Sequence, residues 1–63
     1  MKKEALENLV QAVKLRPTYA DARYNLGVIY VSMDDRGNAL DQYKALKDLD
    51  APLADKLFKL IYP

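Results

Sequence analysis

The chain has 63 residues, of which 51% are hydrophobic and 30% charged, with a formal net charge of +1; this is a globular balance near the lower size limit for folding alone. Cysteine and histidine are both absent, which excludes disulfides, thiolate zinc sites and thiol nucleophiles and removes the commonest general base and metal ligand. The lysines and arginines are dispersed among acids along the chain, and the longest strictly apolar run is Val28 to Val31, so neither nucleic acid nor a membrane is an expected partner.

Met1-Lys2-Lys3 runs into a charged, amphipathic segment instead of an apolar one, so no leader is expected and the cytoplasm is the default location. Apolar residues at Ala5, Leu6, Leu9, Val10, Ala12, Val13 and Leu15 have helical spacing and predict a first helix over 4–16. Pro17 ends it, because proline disfavours helical backbone in the residue before it. A second helix is expected over 19–33, with Thr18 as its N-cap and Asp21 near its positive end. Within it, Gly27 costs roughly 1 kcal/mol relative to alanine, which predicts that another helix backbone passes close by.

Asp34-Asp35-Arg36-Gly37 reads as a turn. A third helix is expected from Asn38 to Leu49, with Ala39, Leu40, Tyr43, Leu46 and Leu49 on one face. Asp50-Ala51-Pro52 interrupts it, and Pro52 suits the first turn of a fourth helix over 52–62. No stretch alternates as a strand would. The fold class is all-α, one domain over 1–63.

Shifted by 34 residues, the chain matches itself without a gap: Ala5 falls on Ala39, Leu6 on Leu40, Leu9 on Tyr43, Leu15 on Leu49, Ala20 on Ala54, Tyr24 on Phe58 and Leu26 on Leu60. Leu26-Gly27 and Tyr30, followed by Ala39 and Tyr43, with Ala5, Leu9, Ala12 and Pro17 before them, resemble the tetratricopeptide repeat, a helix–turn–helix unit of 34 residues. The resemblance implies the order B–A–B–cap: helix B of a partial repeat at 4–16, a complete repeat at 19–50 and a capping helix at 52–62. Arg23 stands where the family prefers tryptophan, Asp34 where its turn has glycine and Leu46 where helix B has a small residue.

The resemblance also implies function. Such repeats are binding scaffolds, and helix A lines a groove for a peptide or partner protein; here its positions are Asp21, Tyr24, Asn25, Val28, Val31 and Ser32. Asn25 matches the asparagine that grips a peptide carboxylate in some members, but Asp21 opposes a carboxylate clamp. Tyr24 has two readings, a groove aromatic or a substitute for the missing tryptophan in the inter-repeat core. The alternative function is self-assembly into a homo-oligomer. In that reading helix 1 exposes Leu6, Leu9, Val10 and Val13, and copies stack or exchange helices by opening the 34–37 turn. Catalysis, cofactors and metals are not expected. Asp34 and Asp35 lack the spaced ligands of a calcium loop, and the two glycines, ten residues apart, form no phosphate loop.

Overall fold

A computed structural model describes residues 2–63 and consists of four helices in chain order. They are α1 (Lys2–Leu15), α2 (Ala20–Ser32), α3 (Arg36–Leu49) and α4 (Ala51–Ile61). The expected order and number are found, with bounds within two residues. Helix α2 packs between α1 and α3, and α4 closes the far side against both α2 and α3. Helix α1 touches only α2 among the helices.

The connections are short because specific residues end each helix. Helix α2 stops in a Schellman turn: the N–H of Asp35 donates to the Tyr30 carbonyl at 2.8 Å and that of Asp34 to the Val31 carbonyl at 3.0 Å. Asp34 takes a φ of 59°, the left-handed conformation for which glycine is the usual residue. The aspartate therefore preserves the geometry that glycine would give. Asp35 then caps α3, accepting from the backbone N–H of Asn38 at 3.3 Å and from its side-chain Nδ2 at 2.8 Å. Gly37, expected in the turn, lies inside the first turn of α3.

Asp50 serves two helices. Its backbone N–H closes α3 onto the Leu46 carbonyl at 2.8 Å, and its carboxylate accepts from the N–H of Leu53 at 3.1 Å, capping α4. Pro52 occupies the first turn of α4, where a missing N–H costs nothing. At α2 the expected cap is corrected: Tyr19, not Thr18, is the N-cap, and no side chain caps this helix.

The core is one cluster of Ala39 and Leu46 from α3 with Ala54, Leu57 and Ile61 from α4. Tyr30 and Tyr43 are half-buried against it, as a core role requires. The 34-residue shift does not carry the same burial from α2 to α4. Leu26 is buried, whereas its counterpart Leu60 and the Tyr24 counterpart Phe58 are exposed. Helix α4 turns Ala54, Leu57 and Ile61 inward instead, as a one-sided amphipathic helix does.

Gly27 meets a neighbour, but not the expected one. A Cβ built there would lie 2.6 Å from Leu57 Cδ2 and 2.9 Å from Leu57 Cδ1. Leu57 is fully buried. The nearest atoms thus belong to a side chain of α4, where a helix backbone was expected.

Candidate partner-binding surface

Helix α2 sorts its six candidate groove residues by angle. Asp21, Asn25 and Ser32 are exposed along one edge, while Tyr24, Val28 and Val31 are half-buried and pack against the core. The periodicity explains the division: 21, 25 and 32 lie on one helical line, and 24, 28 and 31 on the next. The Lys56 ammonium from α4 lies 5.5 Å from the centroid of the Tyr24 ring, close enough for a cation–π contact. Tyr24 therefore takes the packing role in part and keeps an accessible portion. The Ser32 hydroxyl donates to the Ile29 carbonyl at 2.7 Å.

The α1 residues Leu6, Leu9, Val10 and Val13 are half-buried. No residue of α1 is fully buried, and its outermost positions are Glu4, Glu7, Asn8, Gln11, Lys14 and Leu15. The apolar face expected there is thus partly covered, and the solvent-facing line is polar apart from Leu15, which is 81% exposed.

Arg23, which stands where the family prefers tryptophan, makes two side-chain hydrogen bonds. Its Nε donates to the Pro17 carbonyl at 3.1 Å and its guanidinium to Gln42 Oε1 at 3.1 Å. This ties the α1–α2 turn to α3 and gives the Oε1 of Gln42, the one buried polar side chain among the described residues, a donor. Sequence reading missed the pair, because residues 19 positions apart on different helices leave no local signal.

A cleft of about 40 Å³ lies between Val31, Asp34, Asp35, Arg36 and Ile61, and an open depression of about 310 Å³ lies beside Arg16, Thr18, Tyr19 and Asp21. Among the described residues, no group of three or more acids could hold a metal ion, and no helix is long and apolar enough to cross a membrane.

Antiparallel helix pairs stacked side by side, with short turns and an open helical face, define a helical-repeat protein. The model of the TPR repeat family matches residues 3–34, just over half of the chain, and the chain belongs to that family. The match spans α1 and α2. No curated protein and no solved structure matches the chain. Repeats of this family are generally protein–protein interaction modules and typically non-catalytic scaffolds.

Proposed function

We propose that the chain binds a peptide or partner protein on the face of α2 and performs no catalysis. The observation that supports this reading is the pairing of two lines on one helix. Half-buried Tyr24, Val28 and Val31 offer apolar area, and exposed Asp21, Asn25 and Ser32 run beside them as a polar edge. A partner gains by covering the apolar line, and the polar edge fixes its register. Tyrosine is a frequent anchor at such interfaces because a large ring is immobilised at small entropic cost.

The test selects peptides from a random display library on the folded chain. Tyr24→Ala combined with Asn25→Ala should weaken the selected binders about tenfold or more, equivalent to about 1.4 kcal/mol, while circular dichroism and the melting curve report that the helices persist. Unchanged affinity in a folded double mutant moves the site off α2.

A second reading, a homo-oligomer associating through Leu6, Leu9, Val10 and Val13, is favoured by the single-sided cover of α1. Opening the 34–37 turn for helix exchange gives up the two Schellman bonds, so stacking is the preferred form of this reading. Sedimentation over a wide concentration range tests it. A monomer at every concentration removes it.

A further inference from the structure

Only Met33, Asp34 and Asp35 separate α2 from α3. The reversal of direction is made at the two aspartates. Asp34 has a φ of 59°, and Asp35 has φ −104° and ψ 75°. Asp34 is the one non-glycine residue with a positive φ among the described residues, in a region where a side chain is crowded and glycine is not. A short connection that holds a strained residue is the usual setting for exchange of elements between copies.

When both aspartates become helical, α2 and α3 run on as one helix over 20–49. The backbone stays bonded in that form. The N–H groups of Asp34 and Asp35, which donate to Val31 and Tyr30 in the closed turn, donate instead to Tyr30 and Val31 by the ordinary i→i−4 rule. Arg36 and Gly37 begin α3, where an N–H has no intrahelical acceptor, and the joined helix gives them Ser32 and Met33. The bonds lost without replacement are those of the Asp35 carboxylate to Asn38. Gly37 is helical in the closed form already, so its low propensity does not hold the turn shut.

We propose that Asp34 is a hinge through which two copies of the chain exchange their α3–α4 hairpins. Opening the hinge uncovers α2, and the surface that fits α2 is the α3–α4 hairpin of an identical chain. There Leu57 meets Gly27 again and Gln42 meets Arg23 again, and the second copy returns the same contacts about a two-fold axis. The exchange leaves Leu6, Leu9, Val10 and Val13 unused, so it stands apart from stacking through α1. Stacking needs no opening and stays the preferred association of a folded chain, whose Schellman bonds keep the turn shut. Exchange belongs to folding at high concentration, when a hairpin from another copy competes with the chain's own. The exchanged dimer presents two α2 faces, which makes it bivalent for a repeated partner.

The experiment measures the hinge inside one chain. The chain lacks cysteine, so spin labels go onto Asp21→Cys/Asp48→Cys, both at exposed positions. Labelled chain is unfolded in urea with an excess of unlabelled chain and refolded at low and at high concentration, and the fractions are separated by size. In the closed hairpin the labelled backbones are about 10 Å apart, at one end of an antiparallel pair. In the joined helix they are about 40 Å apart. Refolding at high concentration should give a dimer with the long distance, which reverts on dilution only at the rate of unfolding. Asp34→Gly should lower its yield fivefold or more, and Asp34→Ala should raise it. A dimer that keeps the short distance assigns association to stacking and overturns the proposal. A chain that is monomeric after every refolding overturns it too, and a long-distance dimer whose yield ignores Asp34→Gly removes Asp34 as the hinge.

Discussion

Helices α1 and α3 are the same helix type in sequence, yet the structure treats them differently. Ala5 and Ala12 of α1 are half-buried, while their counterparts Ala39 and Leu46 are 0% exposed. Asn8 is open to solvent, whereas Gln42 at the matching position is buried and bonded to Arg23. Leu15 is 81% exposed and Leu49 only 37%. The cause is the number of neighbours: α3 is held between α2 and α4, and α1 has α2 alone. A helix in a repeat stack owes its stability to the faces pressed against it more than to its own sequence.

The largest test of this contrast replaces a buried leucine. Leu46→Ala should cost about 2–5 kcal/mol, enough in a domain this small to leave much of the population unfolded at 25 °C. Leu9→Ala on the one-sided α1 should cost about 1 kcal/mol, since only part of that side chain leaves water on folding. Urea unfolding of the two variants measures the gap, and equal losses would break the comparison.

Gly27 sharpens the same point, because its contact with Leu57 draws α4 onto the side that α1 lacks. Gly27→Ala gains roughly 1 kcal/mol in helix propensity, but it forces a fully buried Leu57 aside at an overpacking cost of about 1–3 kcal/mol. The expected net effect is a loss of about 1 kcal/mol. Pairing it with Leu57→Ala makes room for the new methyl. The double mutant should therefore be more stable than the sum of the single losses predicts, a coupling that a double-mutant cycle reads directly. Strict additivity would show that the two positions do not press on each other.

The smallest effects concern the entry into α3. Asp34 holds the left-handed φ that suits glycine, and Gly37 sits in a helix where an added Cβ meets nothing within 4 Å. Exchanging the two preferences, Asp34→Gly with Gly37→Ala, should stabilise the chain by about 0.5–1 kcal/mol per substitution. Thermal melts check this, and a lowered Tm would refute the assignment of the turn.

Much of the helix order was legible because its signals are local. Helical spacing, Pro17 after α1, and Asp50 before Pro52 each act within a few residues. The candidate surface was legible as a set of positions on one helix. Its division into the exposed edge of Asp21, Asn25 and Ser32 and the half-buried line of Tyr24, Val28 and Val31 was not, since it depends on where α4 comes to rest.

From residue order alone came the all-α class, four helices within two residues of their bounds, the family resemblance, and the need for a close neighbour at Gly27. Only the tertiary structure decided that the neighbour is Leu57, that Arg23 joins Pro17 to Gln42, that α4 is turned relative to its counterpart α2, and that Tyr43, Phe58 and Tyr62 meet beneath Arg36 and Lys47. The physical reason is range. Propensity, capping and periodicity act along a few residues of chain, whereas burial and side-chain pairing belong to surfaces that exist only once separate helices have met.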